Sequence, residues 1–336
     1  MKKRFAFSFL ALAGFLTGCP IARVERFPLP PPVVHVPIDA QLQADAKKEI
    51  DSALHSNDEV LRGNAIEVLR DTNLPDGDDK IVEMLKDRSL FVRKAAAIAI
   101  GELKIKSAID KLQPLVDSDM GNTPEEAMEA DQTHMAAIFA LHRLGDYKYS
   151  QEFVKTAFDT RVQIRGDTAF LLGLMNEKSA IPILKKMLHD DKDVRVRLEV
   201  AEALWRLGDE EGENALLSGT ISKIASDQMM TALALAEPRD TRVLEHIQSM
   251  FGGPVFEVDL VCARAAGMLG SDCGYGYAVR GVDSVDPRQR YLAAMAFGDI
   301  GRTDSQKYLA KLLKGDDATV RLGAANALIE IAEMQH

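Results

Sequence analysis

One position recurs along the chain at a nearly fixed interval. With Arg93 of the Val92-Arg93 pair as marker, equivalent positions fall at Arg62, Arg93, His134, Arg165, Arg197, Gln228, Asp259, Arg290 and Arg321, separated by 31, 41, 31, 32, 31, 31, 31 and 31 residues. So constant a period means a stack of small units that bury their apolar faces only against one another. In such a stack, function belongs to a surface that the stacking creates.

Each unit is read as two helices. From Ala65/Ile66 to Ala324/Ala325, the third and fourth residues after the marker are small or aliphatic. From Val68/Leu69 to Ala327/Leu328, the sixth and seventh are apolar. At about 100° per residue these four offsets share one helical face, a packing stripe. A second helix fills the rest of each unit, and four of these open on a serine suited to N-capping, at Ser107, Ser150, Ser179 and Ser305. Gly101, Gly145, Gly173, Gly208, Gly270 and Gly301 are placed to end the marker helices. Asp58, Asp87, Asp193, Asp286 and Asp317 stand just before the markers, as N-caps or as partners for a ladder of arginines.

Paired helices of this length, with Asp before Val-Arg and then Ala-Ala and Ala-Leu-Gly, resemble HEAT repeats, most of all the short bacterial type first associated with phycobilin lyases. The resemblance covers roughly residues 40 to 336 and is weakest at Gln228 and Asp259, where the arginine is lost. It implies an all-α, HEAT-like α-solenoid of about nine two-helix repeats over residues 39–336.

The N-terminal end reads differently. Lys2, Lys3 and Arg4 precede an apolar run from Phe5 to Leu16, too short to span a bilayer and typical of a secretory signal peptide over residues 1–18. The run closes on Leu16-Thr17-Gly18-Cys19, which resembles the lipobox of bacterial lipoproteins. That resemblance implies cleavage behind Gly18, lipidation of Cys19, and an exported protein held to a membrane by its acyl chains. With Pro20 rather than Asp after the cysteine, it implies the outer membrane, facing the periplasm, if the cell is Gram-negative. Residues 19–38 then form a tether, because Pro28, Pro30, Pro31, Pro32 and Pro37 favour an extended backbone. Losing the signal peptide leaves 38 basic residues against 51 acidic ones, a net charge near −13. That balance argues against nucleic acid as a partner.

Chemical motifs are sparse. The seven histidines include no i, i+3 or i, i+4 pair. HEAT-repeat hydroxylases carry His-Glu dipeptides as iron ligands; this chain has only the reversed Glu245-His246, which argues against that enzyme. No catalytic residue, metal ligand set or cofactor site is expected. Cys262 falls on the packing stripe and should be a small buried residue, with Cys273 in a loop. The surplus between Arg93 and His134 lies in Asp117 to Asp131. Its Asp117-x-Asp119 opening has the form of a calcium loop, but Asn122 and Met128 stand where glycine and glutamate are required, which leaves an acidic surface loop.

The first and fifth residues after each marker point away from the packing stripe, towards the concave face. They include an apolar row: Ile98, Met135, Phe139, Phe170, Leu198, Met229, Leu233, Leu260, Tyr291, Met295 and Leu322. An apolar concave face is expected to be a binding groove. The sequence is therefore read as a non-enzymatic scaffold or assembly factor at the cell envelope that binds a protein or peptide. The alternative is a carrier or chaperone for a lipid or other apolar ligand in the same groove.

Overall fold

The protein is described here by a computed structural model covering residues 36–117 and 123–335, which contain helices and no strand. Nine helix pairs follow one another: α1 (Ala40–Leu54) with α2 (Glu59–Asp71), α3 (Gly77–Glu83) with α4 (Leu90–Leu103), and α5 (Ile109–Val116) with α6 (Pro124–Arg143). Next come α7 (Glu152–Thr156) with α8 (Val162–Met175), α9 (Ile181–Asp190) with α10 (Val194–Arg206), and α11 (Glu210–Gly219) with α12 (Ala225–Ala236). The last three are α13 (Leu244–Ser249) with α14 (Phe256–Met268), α15 (Tyr275–Gly281) with α16 (Pro287–Ile300), and α17 (Gln306–Leu313) with α18 (Ala318–Glu333). The even-numbered helices carry the marker and pack side by side as an inner layer, while the odd ones cover them outside. The all-α solenoid expected from the period is the fold observed.

The marker side chain has one job in nearly every unit, which is to pin the loop before its own helix. Arg62 donates to the carbonyls of Ser56 and Asn57, Arg165 to Asp159 and Thr160, Arg290 to Ser284 and Val285, and Arg321 to Gly315 and Asp316. Gln228 keeps the same bond, to Ser222, and His134 faces the Val116 carbonyl. The second arm of the arginine reaches the next unit. Arg62 makes a two-pronged bond to Asp87 at 2.8 and 2.7 Å, and Arg165 pairs with Asp191 in the same way. Asp58, Asp193, Asp286 and Asp317 cap their helices as expected, whereas Asp87 serves the arginine fork.

Several local expectations are corrected. Gly145, Gly208, Gly270 and Gly301 end helices with a left-handed φ, but Gly101 and Gly173 lie inside theirs, and Lys104 and Asn176 take the left-handed position instead. Those two glycines serve close approach: a Cβ on Gly101 would stand 2.5 Å from the Phe139 ring, and one on Gly173 would stand 2.9 Å from Ala203. Ser107, Ser179 and Ser305 lie within short 3₁₀ turns leading into the outer helices and make no side-chain cap. Much of the acidic insertion is helix. Thr123 accepts from the Glu126 amide, and Pro124, Glu125 and Glu126 fill a first turn suited to the helix N-terminus, so α6 begins well before its marker His134.

The stack does not stay open. The outer helix α1 of the first unit packs on α18 of the last, and α18 also meets α2. Arg321 bonds Glu49 at 2.8 Å, continuing the arginine ladder across the seam. Val36 donates to Thr303 Oγ1, the Gln306 amide donates to the Pro37 carbonyl, and Asn73 donates to Glu333. The last residues of the proline-rich stretch are thus fixed against the final unit. The solenoid is a closed ring, and its inner helices enclose a lumen.

Breaking a buried fork leaves an uncompensated charge. Asp87→Ala should therefore cost about 3 kcal/mol in denaturant unfolding. Arg242→Ala, at an exposed pair with Asp240, should cost no more than about 1 kcal/mol.

Candidate functional site

Closure changes which positions face inward. Of the apolar row, Met135, Phe139, Leu260 and Leu322 are buried between units. Ile98, Phe170 and Tyr291 are half-buried against the main core, and Leu198, Met229 and Leu233 against a second cluster. Met295 lines a small cavity with Tyr291 and Leu322. In a tight ring the first offset tucks against the neighbouring unit, so most of this row packs and the lumen axis lies further round the helix.

The position that faces the lumen at the C-terminal ends of the inner helices is nine residues after the marker. It holds Asp71, Glu102, Arg143, Arg206, Glu237, Asp299 and Glu330, with Leu174 and Met268 in the remaining two units. This row was readable at the same period, but a search for apolar surface passes over it. Glu67, Glu202 and Arg264, four residues earlier in their units, extend the charged lining. Nine parallel helices also point their carbonyl ends at this rim, which adds to its attraction for cations.

The groups form a partly paired circuit. Arg70 bridges Asp71 and Glu102 at 2.7 and 3.1 Å, Arg206 bridges Glu202 and Glu237 at 2.9 and 3.4 Å, and Arg264 holds Asp299 at 2.9 Å. Arg264 also lies within electrostatic reach of Glu67, and Arg206 of Glu102, across the lumen. Among the described residues Glu330 has only an amide partner: its Oε1 accepts from Asn326 Nδ2 at 3.0 Å. Burial, aided by Asp299 nearby, pushes the Glu330 carboxyl up to about 8. Burial, with Glu202 and Asp167 close by, pushes Glu199 up to about 7. Glu67, Glu102, Glu202 and Asp299 are raised as well, each chiefly by burial. Glu67 is reachable by water yet has protein on every side, as a narrow lumen requires. Glu199 and Glu330, so shifted, can hold or release a proton near neutral pH, and the carboxyl lining as a whole favours a cationic guest.

Tyr291 lines two cavities. One of about 630 Å³ opens at the N-terminal ends of α14, α16 and α18, with Met229, Val255 and Leu292 supplying apolar walls. The other, of about 30 Å³, lies between α2, α16 and α18 and is lined by Glu67, Asp71, Met295 and Asn326 among others.

His134 and His142 stand apart from this lining. His134 bonds Glu152, and His142 bonds Ser150 and Glu177. Among the described residues no group of three or more His, Cys, Asp or Glu is arranged to hold a metal ion. Cys262 is fully buried, as its register implied, and burial pushes its thiol up to about 12. Cys19 lies outside the described residues. No described helix is long and apolar enough to cross a membrane.

A raised carboxyl means that the folded state keeps a proton that the unfolded chain has already lost above its ordinary value of 4.5. Stability from Glu330 and Glu199 is therefore present at low pH and falls as pH rises through about 7 to 8. The melting temperature should drop by a few degrees between pH 5 and pH 8, and Glu330→Gln should flatten that slope when melting is followed by circular dichroism.

The model for HEAT repeats matches residues 49–130 and 150–227. The chain is 26% identical over 209 residues to deoxyhypusine hydroxylase of Rattus norvegicus and 27% identical over 203 residues to that of Gallus gallus. Each alignment covers 60% of this chain and 66% of the relative, so the chain spans just under two thirds of these relatives. The solved structure of human deoxyhypusine hydroxylase in complex with glycerol aligns with a TM-score of 0.38 and 14% identity, covering 88% of this chain and 98% of that one. These relatives are named as enzymes, which overturns the expectation of a non-enzymatic scaffold and, with it, that of a lipid carrier. The absence of His-Glu dipeptides tested one ligand pattern, and had no bearing on a carboxyl-lined lumen that forms only when the ring closes. The chain is built of HEAT-like repeats, wound into an α-solenoid that closes on itself.

Proposed function

We propose that the protein is an enzyme that takes an amine-bearing substrate, of the deoxyhypusine type, into the lumen of its ring. The observation that carries this reading is the inward row of carboxyls, Glu67, Asp71, Glu202, Asp299 and Glu330, with Glu199 within electrostatic reach of Glu202, in a chain whose relatives are named deoxyhypusine hydroxylases. A substrate with protonated amines on an aliphatic stem suits apolar walls at the mouth and carboxylates further in. The protein or peptide partner expected from the sequence enters as the carrier of that amine.

The His-Glu iron ligands of the hydroxylases do not fit this chain. The dipeptide is absent, and His134 and His142 are committed to Glu152, Ser150 and Glu177. No step is therefore assigned to a metal. What the chain's own residues supply is capture of the cation, partial exclusion of bulk water, and protons at Glu199 and Glu330, which are well placed for general acid–base work near neutral pH.

The same reading has the enzyme exported and tethered to the envelope through acyl chains on Cys19, on the strength of the Leu16-Thr17-Gly18-Cys19 motif. The outer membrane, facing the periplasm, is the location it favours in a Gram-negative cell.

Incubation with a deoxyhypusine-bearing peptide, read by mass spectrometry, should show the peptide modified, with Glu199→Gln and Glu330→Gln each slowing turnover roughly 10²-fold or more. A peptide left unchanged by the wild-type protein under aerobic conditions would sink the reading. Cys19→Ser should move the protein from the membrane to the soluble fraction; retention of that variant in the membrane would overturn the anchor.

A further inference from the structure

The smaller cavity lies on the seam of the ring. Its wall comes from both ends of the chain: Glu67 and Asp71 on α2 of the first unit, Tyr291 and Met295 on α16, and Asn326 on α18 of the last. At about 30 Å³ it has room for one water-sized group. Asn326 is 1% exposed, and its Nδ2 is committed to Glu330 at 3.0 Å, while its Oδ1 is buried without a hydrogen-bond partner. An unmet buried acceptor costs about 1–3 kcal/mol, so a donor belongs there. Glu67 likewise has no ion-pair partner within bonding distance among the described residues; Arg70 and Arg264 act on it only at longer range. Asp71 shares its oxygens with Arg70. The three acceptors are thus Glu67, Asp71 and Asn326 Oδ1, and a primary ammonium presents three N–H donors.

We propose that this cavity is the seat of a single alkylammonium group, held by Glu67, Asp71 and Asn326, and that its occupancy draws the first and last units of the ring together. The inference rests on the reading of the lumen as an amine site and adds a place and a consequence to it. Because the acceptors come from opposite ends of the chain, the seat is complete only in the closed ring. A ligand that binds the closed form alone must stabilise it, by linkage. The seam has little else that is charged and buried: Arg321–Glu49 is part-buried, and the Asn73–Glu333 bond is exposed. Tyr291 also lines the larger cavity, so its ring is the wall that the stem of the amine would have to pass.

The test uses the intact protein with n-butylamine as probe and n-butanol as neutral control. Calorimetric titration should show butylamine binding and butanol not binding, with Glu67→Gln and Asn326→Ala each lowering affinity tenfold or more. Glu67 is exposed to the lumen, so Glu67→Gln keeps the fold and its melting curve serves as a check. Butylamine should slow hydrogen exchange of the α1 and α18 amides more than that of α8 or α10, which lie across the ring. Equal effects of butanol and butylamine, or wild-type affinity in both variants, would overturn the site. Binding without slower exchange at the seam would overturn the coupling. Amine binding without turnover of the peptide would leave this inference standing and defeat the proposed function; turnover without amine binding would do the reverse.

Discussion

Everything in this structure depends on what the marker side chain does in the gap between two helices. One arm of the arginine holds the two carbonyls five and six residues before it, which fixes the loop between the outer and inner helix. At Arg62 and Arg165 the other arm reaches an acid in the next unit, which fixes the rotation from one unit to its neighbour. Both ends are part-buried, so the bond is directional and hard to trade for water. Where the arginine is missing, Gln228 retains the loop bond, and Asp259 reverses the chemistry by accepting from the Gly252 amide. The spacing therefore survives the loss of the residue that marks it.

Small fixed rotations add up. Here they bring the last unit back to the first, and Arg321 finds Glu49 as Arg62 and Arg165 find the acid of the following unit. Closure gives the molecule an inside. Carboxyls that would be ordinary surface groups on an open stack become surrounded by protein and by one another, and their affinity for protons rises. Gly298 shows how tight this packing is, since the Glu330 carboxylate occupies the space where a side chain at that position would begin. The seam cavity, too, owes its acceptors to residues 67 and 326, which only the ring brings together.

Local signatures and tertiary arrangement answer different questions about function. Searching for dipeptides and apolar faces tests for chemistry already known to have a local signature. The lumen's lining has none, since its acids are spread one or two to a unit and are separated by whole periods of the repeat. Phe139 and Leu260 show the converse: helical angle places both on the groove side, but both are fully buried because the turn between units is sharp. The insertion departs from the loop expected of it for a simpler reason: Thr123-Pro124-Glu125-Glu126 is itself a helix start.

By itself the sequence determined the unit: two helices per 31 residues, a small-residue stripe for their contact, aspartate caps and the arginine that joins one unit to the next. These follow from spacing along a helix, which is set by backbone geometry within a few residues. Tertiary structure alone decided that the stack closes, which face the closure turns inward, and which carboxyls it deprives of water. Those outcomes depend on the sum of nine small rotations, a quantity that no single unit contains.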